Sequence, residues 1–304
     1  MSNFTLKQLR YFEAVARHAH FGRAAEACSI SQPAISVQIK ELEANLGTPL
    51  FERAARAVRL TAFGSEFGVR VREILRAVDE LEDFSKTAKN GLIGRLRLGV
   101  IPTIAPYLLP NIISHLGRTH DGLELHVRET MTHKLIQELA DGLIDAAIVA
   151  LPISEPTLTE VPLFDEDFVL IRSHAQANEP VPDAEGLKKM RLLLLEEGHC
   201  FRDQALSFCN IRTALPREGL DGSSLSTLVQ LVGSGIGVTL IPDMAVAVET
   251  RSAPVCVARF AQPIPSRTVG MIWRKKSPLA EQLLQISDVV ALAAKFRQAD
   301  VNAT

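Results

Sequence analysis

The N-terminal region shows helical periodicity in three successive segments, and this pattern limits the fold more than any other part of the chain. Apolar residues recur at helical spacing over about residues 5–18, a short second helix fits Gly22 to Cys28, and a third fits Gln32 to Leu46. Ser31 is placed to cap the third helix and Gly47 to end it. A helix, a short turn and a second helix make a helix-turn-helix.

The third helix presents short polar side chains of the kind that reach base edges and phosphates, which an acidic face could not do. A small hairpin is predicted between Leu50 and Thr61, and in a winged arrangement its arginines would lie along the DNA backbone or minor groove. The candidate DNA contacts are Ser31, Gln32, Pro33, Ser36, Gln38, Lys40, Arg53 and Arg56. On spacing alone, a helical bundle with an ordinary polar surface is the alternative.

Charge is spread unevenly along the chain. Residues 1–60 hold eight Lys and Arg against five Glu, a net charge of +3, whereas the whole chain has a net charge of −2, so the remaining residues sum to −5. A basic end on an acidic body has the sign expected of a nucleic-acid-binding module.

Residues 63–89 are predicted to form one long helix. Its apolar stripe consists of Phe67, Val71, Ile74, Val78, Leu81 and Phe84. Because this stripe is longer than a small DNA-binding module can cover, we expect it to pair with a second copy of the chain. The alternative is a plain core helix.

Beyond residue 90, strands and helices alternate, which indicates an α/β body with a mostly parallel sheet. The first strands are predicted at Arg95–Ile101, Leu123–Glu129 and Ala146–Ala150. A second unit opens at Phe168, and the strand Thr268–Trp273 with a last helix from about Pro278 to Ala299 is expected to return to the first unit.

Cys200 and Cys209 stand nine positions apart, with His199 and Arg202 beside the first of them. Positive charge near a thiol favours the reactive thiolate, and a second thiol can resolve an oxidised first one. Nine helical residues span about 13.5 Å, whereas a disulfide needs Cα atoms closer than about 7 Å. If a helix separates the two cysteines, a disulfide requires that helix to be rebuilt. Such a pair on its own is more often an inert core pair.

Other patterns exclude several classes of function. No apolar run approaches the roughly 18 residues that span a bilayer, and the N-terminus lacks the layout of a signal peptide. We therefore expect a cytoplasmic protein without a membrane partner, in which cysteines are typically thiols. The histidines lack metal-ligand spacing, and Gly233–Gly237 precedes a strand, unlike a dinucleotide fingerprint. No metal and no cofactor are expected.

The N-terminal motifs resemble the winged helix-turn-helix of LysR-type regulators. The resemblance is carried by Leu9–Phe12, Ala24-Ala25, Ser31–Ile39, Leu42-Glu43, Leu46-Gly47, Leu50–Arg53 and Leu60-Thr61. One departure is Phe63, where the family more often has Ala before the glycine. The resemblance implies a multidomain α+β protein, with an N-terminal all-α winged helix-turn-helix and linker helix followed by a C-terminal α/β two-lobed regulatory domain similar to periplasmic binding proteins.

The implied boundaries are residues 1–62 for the DNA-binding domain, 63–90 for the linker (dimerisation) helix and 91–304 for the regulatory domain. Within the last, lobe I is 91–164 and 268–304, and lobe II is 165–267.

Residues Glu196–Gln204 with Cys209 closely resemble the peroxide-sensing members of that family, and Ile101–Thr103, Pro106–Pro110, Thr132-His133 and Arg267–Gly270 agree. By this resemblance Cys200 is the peroxidatic thiol and Cys209 the resolving one. The peroxide pocket would be lined or supported by Thr103, Thr132, His199, Asp203 and Arg267. A simple ion pair to a carboxylate is the alternative for Arg267.

The resemblance implies a redox-sensing transcriptional regulator, an activator in the oxidative stress response, and not an enzyme. Peroxide would oxidise Cys200, the intramolecular disulfide with Cys209 would repack residues 199–225, and the oligomer would rearrange on DNA. The implied partners are double-stranded DNA at pseudo-palindromic promoter sites, hydrogen peroxide, further copies in a homodimer or homotetramer, RNA polymerase and a cellular thiol reductant. The alternatives are a LysR-type regulator triggered by a small anionic ligand between the lobes, and a thiol peroxidase.

Overall fold

The computed structural model describes residues 4–54, 57–90, 94–120, 122–209 and 222–302. The chain divides into two compact units, Met1–Lys89 and Asn90–Thr304. Within the described ranges, no helix is both long enough and apolar enough to traverse a bilayer.

The first unit confirms the three predicted helices and the hairpin. Its elements are α1 (Leu6–His18), α2 (Phe21–Ala27), α3 (Gln32–Leu46), β1 (Phe51–Ala54), β2 (Ala57–Leu60) and α4 (Ala62–Asn90). Ser31 caps α3 by accepting a hydrogen bond from the Ala34 N–H, and Gly47 ends it in the left-handed conformation at φ 69°. Phe12 is fully buried, with ring centroids 5.3 Å from Phe51 and 5.2 Å from Phe67. The hairpin and α4 therefore share one core with the three helices.

The long helix α4 is only partly covered within this unit. Val71 is buried in the core, and Phe67 and Leu75 pack against it. Further along, Ile74 is 42% exposed and Leu81 is 68% exposed. The unit thus buries one end of the predicted stripe and leaves apolar side chains elsewhere on α4 accessible.

The second unit is an α/β body around a seven-stranded sheet. Its strands are β3 (Arg95–Val100), β4 (Glu124–Glu129), β5 (Ala146–Leu151), β6 (Leu158–Ser173), β7 (Thr239–Pro242), β8 (Val255–Ala258) and β9 (Ser266–Arg274). Its helices are α5 (Ala105–Thr119), α6 (Thr132–Ala140), α7 (Ala184–Lys189), α8 (Cys200–Phe208), α9 (Leu225–Gly233), α10 (Val246–Glu249) and α11 (Ala280–Asn302). As expected from the sequence, the last helix returns to the first part of this unit, because α11 packs against α5.

The expectation of a mostly parallel sheet was wrong. The strand order is β4-β3-β5-β9-β6-β7, with β8 also paired to β6. Only β3 pairs in parallel, with β4 and β5, whereas the pairs β5–β9, β6–β9, β6–β7 and β6–β8 are antiparallel among the described strands. A buried strand is a continuous apolar run in either direction, so its residues do not reveal which way it runs.

The strand β6 begins ten residues before the predicted Phe168, at Leu158. Pro162 stands inside it, and the register with β9 shifts between Pro162 and Phe164. Proline and a bulge both break the alternation that marks a strand, which explains why the first part of β6 was not predicted. The long strands β6 and β9 run past residues 164–165 and 267–268, where the lobe boundaries were expected.

Candidate redox site and DNA-binding surface

The helix α8 separates Cys200 from Cys209. This is the arrangement in which, as expected from the sequence, a disulfide requires the helix to be rebuilt. Cys200 is its first residue and is partly exposed, while Cys209 ends it and is fully buried. The Cys209 N–H donates to the Ala205 carbonyl at 3.2 Å, which is the last helical hydrogen bond. The structure describes all four cysteines, and all are reduced. A straight helix of this length keeps the two Cα atoms about 13.5 Å apart along its axis, too far for a disulfide.

The buried face of α8 anchors the helix to the body. Phe201 packs edge-on against Phe168 with ring centroids 4.8 Å apart, and Phe208 packs against Phe260 at 5.3 Å. Ala205 and Leu206 are also buried. Burying a large apolar side chain stabilises a fold by about 1.5–3 kcal/mol, so these contacts hold the reduced arrangement against unwinding.

A glycine sets the approach to Cys200. Gly198 has φ +96°, and a Cβ built there would lie 3.0 Å from the Met131 sulfur. Both the positive φ and this close approach favour glycine. The residues just before this turn are hydrogen-bonded to Gly222, near the far end of residues 199–225. The Gly222 N–H donates to the Leu194 carbonyl at 3.0 Å, and the Glu196 N–H donates to the Gly222 carbonyl at 3.1 Å.

His199 precedes α8 and is buried. Burial lowers the pKa of its imidazole, against a smaller opposing effect of Glu196. The ring is therefore neutral at neutral pH and can donate one hydrogen bond and accept another. This corrects the expectation that the imidazole brings positive charge to Cys200. The first turn of α8 itself supplies positive potential, because its N–H groups point toward the thiol end.

Arg267 forms a buried ion pair that the sequence analysis left as the alternative. Its Nε donates to the Glu166 Oε2 at 2.8 Å, and Nη2 lies 2.7 Å from the same oxygen. The guanidinium also donates to the Thr103 hydroxyl at 2.8 Å and the Thr103 carbonyl at 3.1 Å. Its carbon stands 5.7 Å from the centre of the Phe201 ring, within cation–π range. Arg267 thus joins the start of α8 to the loop before α5.

A cavity of about 320 Å³ opens beside these groups. Its lining includes Thr103, Tyr107, Lys134, His199, Ser226 and Glu249. Two of the five predicted pocket residues, Thr103 and His199, line it, and Arg267 supports it through Thr103. Thr132 begins α6, and its buried hydroxyl has no hydrogen-bond partner within the described part of the chain. Asp203 lies in the first turn of α8 with an exposed side chain.

The ends of three helices converge on this cavity. Tyr107 lies in the first turn of α5, Lys134 in that of α6 and Ser226 in that of α9. Helix N-termini present unpaired N–H groups and positive potential, so they favour negative charge. The sequence did not reveal Tyr107, Ser226 and Glu249 as cavity residues, because their hydrogen bonds join positions far apart in the chain.

The predicted DNA-contacting residues of α3 extend from its N-cap to its middle. Ser31, Gln32, Pro33 and Lys40 are exposed, and Ser36 and Gln38 are partly exposed. Among them stands Val37, 52% exposed, which the sequence analysis did not single out. The two exposed methyl groups of Val37 can make an apolar contact with the methyl group of thymine in the major groove. Arg56 lies outside the described residues, and so does the side chain of Arg53.

The hairpin is fixed to α3 by one carboxylate. Glu43 Oε1 accepts hydrogen bonds from the Leu50 N–H at 2.8 Å and the Phe51 N–H at 3.2 Å. Leu50 and Phe51 are buried, so the carboxylate satisfies donors that water cannot reach. Glu43 therefore sets the position of β1 relative to α3.

We expect Glu43→Ala to weaken DNA binding about tenfold, because leaving buried donors unsatisfied costs about 1–3 kcal/mol and displaces the hairpin. The measurement is fluorescence anisotropy with a duplex selected for binding from a random pool. Hydroxyl-radical footprinting on the same duplex should lose protection outside the α3 contacts first. Glu26→Ala is the control, since Glu26 is an exposed glutamate on the neighbouring helix α2 and its replacement removes the same charge; an equal loss there would contradict the assignment.

Comparison with known proteins places both units in one family. Residues 6–65 match the family described as "Bacterial regulatory helix-turn-helix protein, lysR family", and residues 89–292 match the "LysR substrate binding domain". The chain is 40% identical over 288 residues to the "DNA-binding transcriptional dual regulator OxyR" of Escherichia coli, covering 94% of each protein. It is also 40% identical over 299 residues to a "Probable hydrogen peroxide-inducible genes activator" of Streptomyces viridosporus, covering 97% of this chain and 94% of that one.

Among solved structures, a full-length OxyR variant from Pseudomonas aeruginosa is similar over 95% of each chain, with a TM-score of 0.76 and 38% identity.

Proposed function

Since this chain belongs to the LysR family of bacterial transcriptional regulators, we propose that it regulates genes in response to hydrogen peroxide through a disulfide between Cys200 and Cys209. The observation that carries the proposal is the placement of the two thiols at opposite ends of α8, with the first beside the cavity residue His199. Relatives 40% identical over nearly the whole chain are named hydrogen peroxide-inducible activators or OxyR.

The chemistry begins with the Cys200 thiolate. It attacks one peroxide oxygen, the O–O bond breaks and hydroxide leaves, which gives a sulfenic acid. The Cys209 thiol then attacks that sulfur, and a disulfide forms as water departs. A cellular thiol reductant supplies the two electrons that restore both thiols.

The surrounding groups suit the first step. The neutral His199 imidazole and two hydroxyls can hold peroxide and donate to the leaving oxygen. The hydroxyls are those of Thr103 and of Thr132, which has no partner among the described residues. Arg267 acts indirectly, by positioning Thr103, because its guanidinium is hydrogen-bonded to Glu166 and Thr103. We propose that Asp203, whose side chain is exposed, supports the pocket from its solvent side.

The signal is the loss of α8. A disulfide cannot form across an intact helix of nine residues, so residues 199–225 repack when Cys209 leaves the core. Part of this segment, residues 210–221, lies outside the described residues. We infer that repacking shifts contacts between copies of the chain and re-spaces their DNA-binding heads.

Our proposal for the assembly is supported by the exposed apolar side chains of α4. The exposed apolar residues Ile74 and Leu81 of the predicted stripe suit pairing with a second copy. They support the proposal that 63–90 is the dimerisation helix between domains 1–62 and 91–304. A two-fold dimer or a tetramer built from it reads pseudo-palindromic promoter DNA. RNA polymerase is the partner for activation, and the cytoplasm is the compartment in which such a regulator meets DNA.

The test is to treat the reduced protein with one equivalent of peroxide, map disulfides by mass and compare DNA footprints before and after. We expect a Cys200–Cys209 bond and a changed footprint. Cys200→Ser should abolish both, whereas Cys209→Ser should stop at the sulfenic acid. Cys256→Ser is the control, because Cys256 is also partly exposed but donates to the Ser173 carbonyl on β6 and has no role in the proposal. If the DNA footprint of the wild-type protein is the same before and after peroxide, the proposal is ruled out.

A small anionic ligand in the cavity is the second candidate, favoured by the three helix N-termini and Lys134. Its signature is a footprint change that needs the anion and survives Cys200→Ser. A thiol peroxidase would instead consume peroxide continuously with a reductant, which a regulator oxidised once per cycle does not do.

A further inference from the structure

The cavity beside His199 already contains a carboxylate that belongs to the chain. Tyr107 donates its hydroxyl to the Glu249 Oε1 at 2.6 Å, and Ser226 donates its hydroxyl to Oε2 at 2.6 Å. All three residues line the cavity. Each carboxylate oxygen thus receives a short hydrogen bond from a different helix, which is how a binding site holds a carboxylate ligand.

The donors are in the protonation state that this arrangement needs. Tyr107 is buried, and burial together with the hydrogen bond to Glu249 raises the pKa of its phenol. The phenol therefore keeps its proton and donates it to the carboxylate. The positive groups around the cavity are those already described, namely the first turns of α5, α6 and α9 and the Lys134 ammonium group.

We propose that Glu249 serves as a built-in carboxylate ligand, occupying the place in this cavity that a small free carboxylate would take and tying α5 to α9. In the wild-type protein the Glu249 side chain then fills the carboxylate position between Tyr107 and Ser226, and removing that side chain opens this position to acetate or formate. This inference goes beyond the peroxide response, and it argues against the second candidate function, because the anion that the helix ends favour is supplied by the chain.

The position of the contact gives it a mechanical consequence. Ser226 lies four residues after Gly222, which is hydrogen-bonded to Leu194 and Glu196 in the segment that leads into Cys200. The Glu249 contact therefore holds the start of α9, at the end of residues 199–225, against α5 while α8 is rebuilt.

The test is chemical rescue in the full-length protein. We expect Glu249→Ala to lower the Tm of the C-terminal unit by about 4 °C or more. Acetate or formate at tens of millimolar should restore most of that loss, and sodium chloride at equal ionic strength should not. Glu129→Ala is the matched control, because Glu129 lines the same cavity from the end of β4. Its Tm should respond to acetate no more than the Tm of the wild type.

Two results would overturn the inference. One is an acetate effect in Glu249→Ala no larger than in wild type or Glu129→Ala. The other is a wild-type Tm that acetate raises as strongly as it raises that of the variant, since the cavity would then accept a free carboxylate beside Glu249.

A second variant covers a failure of Glu249→Ala to fold. The double replacement Tyr107→Phe and Ser226→Ala keeps the carboxylate but removes both donors, so it should lower the Tm with no rescue by acetate; an unchanged Tm would also overturn the inference. Ser234→Ala, at the far end of α9, is its control. These readouts need no peroxide, so they stand apart from the disulfide map that tests the proposed function.

Discussion

Replacing Arg267 by methionine is expected to destabilise the C-terminal unit by about 3–5 kcal/mol, because the buried Glu166 carboxylate loses its countercharge. The guanidinium is fully buried, and Glu166 is only 5% exposed. The other Glu166 oxygen accepts the Met244 N–H at 3.0 Å, so the carboxylate cannot turn to solvent without breaking a second contact. Urea unfolding followed by the fluorescence of Trp273 measures the effect, since this is the one tryptophan of the chain and lies buried on β9.

The matched control is Arg259→Met. Arg259 and Asp243 form a 2.8 Å ion pair whose side chains are 65% and 39% exposed. Exposed pairs of this kind contribute about 0–1 kcal/mol. Replacing Glu166 as well, in Arg267→Met with Glu166→Leu, should recover part of the loss, because no buried charge is then left alone. Equal losses in Arg267→Met and Arg259→Met would mean that the buried pair has no special weight.

The elements that depend on local signals were predictable. The helices α1 to α3 were found because their apolar periodicity, the Ser31 cap and the Gly47 stop are all written in adjacent residues. Strand direction was not predictable, since the antiparallel pairing of β6 with β9 joins distant segments. A run of apolar residues records that a strand is buried but not which neighbour buries it.

The candidate site likewise combines residues that are close in the sequence with residues that only the fold brings together. Cys200, Cys209 and His199 stand close together in the sequence, and their spacing predicted that a helix between the two thiols would have to be rebuilt before a disulfide forms. Their redox roles came only from the family resemblance. Thr103 and Arg267 are 164 residues apart, and only the family resemblance brought them together before the structure did.

Glu166 could not have been found in that way. It stands between Asp165 and Asp167 in what looks like a solvated acidic stretch, yet the strand turns it inward to meet Arg267. Alternation along a strand places neighbouring charges on opposite faces, and that sorting needs the position of the strand in the sheet.

Oxidation by peroxide is expected to remove the amide protection of α8 almost completely. In the reduced protein the helix is held by its own hydrogen bonds and by the packing of Phe201 and Phe208. The disulfide needs Cα atoms closer than about 7 Å, and a straight helix keeps them about 13.5 Å apart. The helix and the bond therefore cannot coexist. Hydrogen exchange of residues 201–209, followed by mass spectrometry, should accelerate by about two orders of magnitude or more.

The strands β3 and β5 provide the internal reference, because they lie in the buried sheet and do not take part in the redox change. Peroxide-treated Cys200→Ser should exchange like the reduced wild type, which separates the disulfide from other oxidation. Unchanged protection of α8 in protein whose Cys200–Cys209 bond has been mapped by mass would show that the helix moves as a body or bends at an end instead. The repacking of residues 199–225 would then lose its cause, since the contacts that this segment makes with the sheet would survive oxidation.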